Sequence, residues 1–323
     1  MKRIKRFSLG RKYHRLSVKF VVISFSVTLI MVLCLHGSYD QVEPKSYTYF
    51  GGWQESNICN SSDKIPASFL TTIRDKNFEM NLFIHDPTKD TVSKQLFEAS
   101  VLKDLDFAKV VKSFLDVFTD IDYVIDIGAH VGAITILSTL MGKKVITIDG
   151  EKDNLKLLCS TLSYLGLQQN VVIIHEIAGI SHTPVTWIHQ TNGNYSGSYV
   201  DLEDETWIKT NGNPNFKIEG RSPILIDKLI EILPNLTSSN VFMNIDVNGY
   251  ENRVLMGSNL FMKRTNIRGI LINFKYHKKK SSGLDIVQMM KKFGLHPYRY
   301  IDNTLLNLEK VKIREWPDLI MWI

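Results

Sequence analysis

No Asp or Glu precedes Asp40 in this chain. Eight of its 39 Lys and Arg fall in residues 1–19 (Lys2, Arg3, Lys5, Arg6, Arg11, Lys12, Arg15, Lys19), which more than accounts for the formal net charge of +6. The remainder holds 31 basic against 33 acidic residues, so the body of the protein is not a polycation. General phosphate-backbone binding therefore lacks electrostatic support, and no nucleic-acid partner is expected. Cysteine is scarce, at three residues, too few for a disulfide framework. No His/Cys cluster has metal-ligand spacing, so no metal site is expected. Internal repeats and low-complexity blocks are also missing. Hydrophobic residues make up 44% and charged residues 22%, enough apolar material for a large core.

The one long uncharged run follows the basic block. Phe20–Leu35 carries no charge, and the stretch continues uncharged through Tyr39. Sixteen to twenty helical residues span roughly 24–30 Å, about the hydrocarbon thickness of a bilayer. Cations on its N-terminal side should keep that end cytoplasmic, giving a single-pass type II membrane protein. The rival reading is a cleaved signal peptide, but Cys34-Leu35-His36-Gly37-Ser38 offers a poor small-x-small site. The expected organisation is a cytoplasmic tail at 1–19, a transmembrane signal anchor at 20–39, a polar stem at 40–77 and a folded domain at 78–323. The domain would lie in the lumen of the Golgi or endoplasmic reticulum. Three glycosylation sequons agree with that address: Asn60-Ser61-Ser62, Asn194-Tyr195-Ser196 and Asn235-Leu236-Thr237. Cys59 and Cys159 would both be lumenal and able to pair; the pattern slightly favours Cys159 as a small buried residue on a helix.

A strand is expected at Phe78–Ile84, then a helical cap from Val92 to Phe118 with one break. From Asp122, short β-branched runs alternate with helical stretches. Strands are expected at Tyr123–Ile127, Lys144–Ile148, Val171–Ile174, Val241–Ile245, Gly269–Phe274, Tyr298–Ile301 and Leu319–Ile323. Helices are expected at Ala133–Leu140, Lys152–Leu165, Ile224–Ile232, Arg253–Leu260 and Leu284–Phe293. The pattern gives an α/β fold, a doubly wound, mostly parallel seven-stranded sheet of Rossmann-like type. Such a sheet binds ligand at the carboxyl ends of its strands, beside the switch point. Residues 179–222 break the alternation and read as an inserted hairpin over that end, with turns at Asn192-Gly193 and Asn211-Gly212.

The strongest local signal is Val124-Ile125-Asp126-Ile127-Gly128-Ala129-His130-Val131-Gly132. A buried strand ends in an acid and is followed by Gly-x-x-x-Gly and a helix. Gly128 lets backbone approach a ligand, Ala129 and His130 fill the loop, and Gly132 turns the chain into the helix. Asp126 can hold this loop or receive a ligand's ammonium group. A dinucleotide fingerprint would place Gly at 130 and 133, where His130 and Ala133 stand. The next strand ends in Asp149, 23 residues after Asp126, where a carboxylate accepts from ribose hydroxyls. Glu176 follows the third strand, where adenine is contacted.

These segments, with Asn244-Ile245-Asp246-Val247-Asn248-Gly249-Tyr250-Glu251 and Val254-Leu255-Met256-Gly257, resemble the FkbM-type methyltransferases. The resemblance extends over about residues 78–300 and includes Leu225-Ile226-Asp227-Lys228-Leu229-Ile230. It implies a class I methyltransferase fold, S-adenosyl-L-methionine as cofactor, and O-methylation of a hydroxyl on a glycan, lipid or small molecule. Asp246 is the first candidate base and His277 the second. Asn244 stands where the family has Lys, Asn248 where it has Glu, Gly150 where it has Pro, and Lys275 where it tends to have an acid. Two other readings remain. One is a binding or scaffold protein that has kept the fold and lost transfer activity. The other is a Golgi glycosyltransferase using Asp104-Leu105-Asp106 or Asp120-Ile121-Asp122 to hold a metal.

Overall fold

The computed structural model describes residues 58–59, 68–102, 105–180, 184–201, 214–301 and 304–323. The basic tail, the anchor, most of the stem, Asn60 and the Asn211-Gly212 turn lie outside them. Among the described residues no helix is long and apolar enough to cross a membrane.

The described chain opens on an antiparallel hairpin, β1 (Phe69–Arg74) and β2 (Glu79–Ile84). β1 lies inside the stretch assigned to the stem. Only Thr71 and Ile73 of its six residues are buried, so it has little apolar alternation to announce it. Two helices follow, α1 (Thr91–Glu98) and α2 (Asp106–Val117), which are the two halves of the expected cap. Asp90 caps α1 by accepting from Ser93 N at 2.7 Å, which satisfies a free N–H of the first turn.

Next come β3 (Tyr123–Ile127), α3 (Ala133–Leu140), β4 (Lys144–Ile148), α4 (Lys152–Leu165) and β5 (Val171–Ile174), at the limits the sequence predicts. The insert is a three-stranded antiparallel sheet in the order β7-β6-β8, from β6 (Val185–Gln190), β7 (Tyr199–Asp201) and β8 (Phe216–Arg221). It is more than the expected hairpin, because β8 alternates weakly and has no fully buried residue. The chain then forms α5 (Leu229–Ile232), β9 (Asn240–Ile245), α6 (Glu251–Met256), α7 (Asn259–Arg264), β10 (Asn266–Asn273), α8 (Ser281–Lys292), β11 (Pro297–Ile301), β12 (Thr304–Asn307) and β13 (Leu319–Trp322).

The main sheet runs β12-β11-β13-β10-β9-β3-β4-β5. It has eight strands rather than seven, because β12 folds back on β11 as an extra antiparallel edge. β5, β4, β3, β9 and β10 are parallel, while β13 is antiparallel to both β10 and β11. The chain winds outward from β3 to β5 on one side and from β9 on the other, so the switch point lies between β3 and β9. Side chains alternate across the sheet. Val124, Val145 and Phe242 join the core under α2, α3 and α4, and Ile125, Ile146 and Met243 join the core under α5 to α8.

Cys59 and Cys159 form a disulfide with Cα atoms 5.4 Å apart. Cys159 is buried on α4 as expected, but the preference for an unpaired cysteine is corrected. The fold brings Cys59 back against α4, a contact across 100 residues that spacing alone does not reveal.

Candidate active site

A cavity of about 200 Å³ opens at the carboxyl ends of β3, β4, β5, β9 and β10. Asp126, Gly128, Ala129, His130, Asp149, Glu176 and Asp246 all line it. The local chain geometry explains why. Gly128 turns at φ +80° and donates to Ile148 O at 2.8 Å, pinning the β3 loop to β4. A Cβ there would overlap the Asp246 carbonyl oxygen and lie 2.7 Å from its carbon. Glycine is thus what lets the β3 and β9 loops meet. Gly132 is not on the cavity wall; it starts α3 at φ +85° and leaves room for Leu158 beneath the loop.

Asp126 is fully buried. Its Oδ2 accepts from Thr135 Oγ1 at 2.7 Å and its Oδ1 from Asn244 Nδ2 at 2.9 Å. Burial pushes its carboxyl up, against those two bonds. Its bonds tie β3 to α3 and to β9 on either side of the loop. Asp149 Oδ1 accepts from Glu151 N at 2.7 Å and Asn154 Nδ2 at 3.2 Å, while Oδ2 accepts from His130 N at 2.8 Å. One lone pair of Oδ2 is left for a ligand hydroxyl. Burial lifts this carboxyl to about 6, with the Glu151 and His130 N–H groups opposing. Glu176 is likewise raised by burial and lowered by Arg221, whose Nη2 stands 3.8 Å from its Oε2.

Asp246 follows the last residue of β9. Its Oδ1 accepts from Asn273 Nδ2 at 2.8 Å, at the end of β10. The residue is exposed to cleft water yet ringed by protein. The protein around it, with Glu251 and Asp126 nearby, moves its carboxyl up to about 6, against the Asn273 hydrogen bond and His130. His277 does not join it. Its ring is fully buried, with Nε2 2.6 Å from Glu251 Oε2 and Nδ1 2.8 Å from Ser282 Oγ. Glu251 Oε1 in turn accepts from Val247 N and Gly249 N. His277 is therefore not a base in the cleft, although it sits within the basic run Lys275–Lys280. It braces the loop that carries Asp246.

Several wall residues had no signal in the sequence. Trp187 of β6 closes over Gly150: a Cβ at 150 would meet the indole at 3.3 Å and Ile177 Cγ1 at 3.2 Å. Any side chain at that position would press on both, which favours glycine there. The short 3-10 turn Tyr195–Gly197 brings Tyr195, Ser196 and Ser198 to the cavity. Asn248 ties this turn down by donating from Nδ2 to Ser196 O and Ser198 O, each at 2.9 Å. Ser196 N also donates to Asp90 Oδ2 at 2.8 Å. Asp90 stands 3.3 Å from His130 Nε2. Burial works to raise the Asp90 carboxyl, but His130 and the Ser196 and Ser93 N–H groups hold it far below the ordinary range. The His85 ring lies 4.3 Å from that of Tyr195, and burial with the neighbouring His130 lowers its pKa to about 4.

Of the Asp-x-Asp segments, Asp106, Asp120 and Asp122 are not among the lining residues, and Asp104 lies outside the described residues. Asp120 and Asp122 precede β3, at the opposite strand ends, and bind Asn240. Asp106 begins α2. Among the described residues no group of three or more His, Cys, Asp or Glu is placed to hold a metal ion.

No family model and no curated protein matches the chain. Solved structures similar to it include the precorrin-6y C5,15-methyltransferase of Geobacter metallireducens GS-15, at 11% identity over 67% of this chain and 86% of that one, with a TM-score of 0.35. An rRNA methylase of Streptococcus thermophilus shows 15% identity over 67% and 94%, with a TM-score of 0.32. The T. thermophilus 16S rRNA N2 G1207 methyltransferase, solved with AdoMet and guanosine, shows 13% identity over 80% and 51%, with a TM-score of 0.38. Likenesses this loose carry no argument of their own. The functional reading rests on the strand order and on the site.

Proposed function

We propose that this protein is an S-adenosylmethionine-dependent methyltransferase of the FkbM kind, acting on a hydroxyl acceptor from a lumenal, membrane-anchored position in the secretory pathway. One observation carries the reading. At the switch point, two acids on adjacent strand ends, Asp126 and Asp149, flank the Gly128 backbone cradle inside one cavity. The donor set fits the cofactor. Asp149 Oδ2 would take a ribose hydroxyl, Glu176 and the apolar Ile177–Trp187 wall would take the adenine, and Gly128–His130 would lie along the cofactor's amino-acid portion. Bound there, the cofactor supplies an electrophilic methyl group. The chain's own residues position the acceptor, and Asp246 takes up the hydroxyl proton. The Cys59–Cys159 disulfide supports an oxidising compartment.

The scaffold reading drew on Asn244, Asn248 and Lys275. The first two have positional reasons, as donors to Asp126 and to the Ser196–Ser198 turn, and so read as adaptations rather than losses. Calorimetric titration with S-adenosylmethionine and a set of UDP-sugars tests the proposal. S-adenosylmethionine should bind and the UDP-sugars should not. Asp149→Ala should weaken that binding by about 1–3 kcal/mol, the scale of a charge-assisted hydrogen bond. Unchanged affinity in that variant would remove the site assignment.

A further inference from the structure

The acceptor half of the cleft lies on the β9, β10 and β13 side, away from Asp149 and Glu176. Val247 after β9 and Leu319 on β13 are its apolar lining, beside Asp246 and Asn273, and Phe107 of α2 and Ile134 of α3 line the same cavity. Among the described residues, the charged side chains on the wall are Asp126, Asp149, Glu151, Glu176 and Asp246, and no Lys or Arg lines it. The one basic ring there, His130, stands beside Asp90. Arg221 is engaged on the far side by Glu176 and by Gly150 O, to which its Nη1 donates at 2.5 Å. The basic run Lys275–Lys280 follows β10 at the rim, but none of its side chains reaches the wall. Lys278 pairs with Asp318, and Lys275 lies over the Tyr276 ring.

We infer that the acceptor is an uncharged or cationic molecule with an apolar body, and that molecules carrying phosphate, sulfate or carboxylate are rejected by the acceptor half of the cleft. This rests on the methyltransferase reading. An anion entering here loses its hydration and meets carboxylates with no lysine or arginine among the described lining residues to compensate, an arrangement that discriminates by repulsion as much as by attraction. A hydroxyl or ammonium group instead donates to Asp246, and the apolar walls cover the rest of the molecule.

The test uses the full-length chain and three probes that share an aryl body: phenyl β-glucoside, its 6-phosphate and phenyl β-glucosaminide. Binding of S-adenosylhomocysteine is measured first, and its failure would remove the cofactor reading and this inference together. With S-adenosylhomocysteine bound, ligand-observed NMR titration should show the glucoside and the amine binding at least about 10-fold tighter than the phosphate. That gap should persist at high salt, because it arises inside the cleft rather than at the rim. Asp246→Asn should narrow it several-fold. A phosphate probe that binds as tightly as the glucoside overturns the inference while leaving the cofactor reading intact. Failure of all three probes to bind overturns the assignment of the apolar walls to the acceptor.

Discussion

Replacing Asn248 by Asp isolates what holds the insert over the cleft. The two side chains share a shape, and both tolerate the left-handed backbone found here, φ 54°. The material changes are an NH₂ group exchanged for an oxygen and the negative charge that comes with it. Wild-type Nδ2 donates to Ser196 O and Ser198 O at 2.9 Å each, in a half-buried setting. Each lost bond costs about 0.5–1.5 kcal/mol, and a carboxylate facing two carbonyl oxygens adds roughly 1 kcal/mol of unsatisfied or repulsive contact. The latch should weaken by about 2–4 kcal/mol. The fold should survive, because Ser196 N still donates to Asp90 and Gln190 Nε2 to Gly197 O at 2.8 Å. Hydrogen exchange followed by mass spectrometry reads the effect directly. Exchange over residues 195–201 should rise at least about 10-fold while β3 and β4 keep their protection, and cofactor affinity should fall as Tyr195 and Ser198 leave the wall. Asn248→Glu, which puts back the residue of the family pattern, should release the turn in the same way and lower activity. Unchanged protection in both variants would show that these hydrogen bonds do not hold the turn.

Three further outcomes are expected. Gly128→Ala should cost about 3 kcal/mol or more and abolish cofactor binding, because its Cβ meets the Asp246 carbonyl, whereas Gly142→Ala, at φ +77° with nothing within 4 Å of a Cβ, should cost only about 1 kcal/mol; thermal melts and calorimetry of the two variants decide this. Asp149 has a folded pKa of about 6 against an ordinary 3.8, so its contribution to stability is fully present below about pH 4 and lost as pH rises through about 6, at most roughly 3 kcal/mol. Urea midpoints of Asp149→Asn should accordingly fall less than wild type between about pH 4 and pH 7, and parallel curves would contradict the raised value. In secretory-pathway expression, Asn235→Gln should remove a glycan and increase gel mobility, since Asn235 is exposed on the 3-10 turn Pro234–Ser238. Asn194→Gln should not, because the Asn194 carboxamide is tied to Thr91, Gln190 and Ser196. Unmodified Asn235 would count against the lumenal orientation.

The central strands were legible because they are buried on both faces. Tyr123–Ile127 and Val171–Ile174 have no exposed residue, and a continuous apolar run bounded by turn residues has few other homes. The same logic placed Asp126, Gly128 and Asp149 together, since strand-end positions in neighbouring parallel strands converge by geometry. Edge elements gave no such signal. β1 and β8 are as long as many central strands but have few or no fully buried residues, so no continuous apolar run announces them, and β12 is a four-residue return strand against β11. Trp187 and Tyr195 were invisible as site residues for a related reason: they reach the cleft from an insert whose path no periodicity encodes.

The departures from the family pattern show most clearly what sequence comparison alone leaves open. Asn244 in place of Lys reads as a lost charge until its partner is known. That partner is Asp126, fully buried and bonded only to the neutral donors Thr135 and Asn244. A lysine beside it would hold the carboxyl ionised at the cleft floor. With an amide there, burial dominates and the carboxyl is pushed upward, so less fixed negative charge sits under the loop that would receive a sulfonium cofactor. Glu251 carries the complementary lesson. It holds the loop N–H groups and His277, and its charge also helps raise Asp246. The candidate base is thus tuned by a residue that never faces the cleft. A carboxyl moved toward neutrality releases and takes up a proton more readily at physiological pH than one held at its ordinary value. Bracing and tuning are one interaction here, and removing Glu251 would disturb the loop and the acid together.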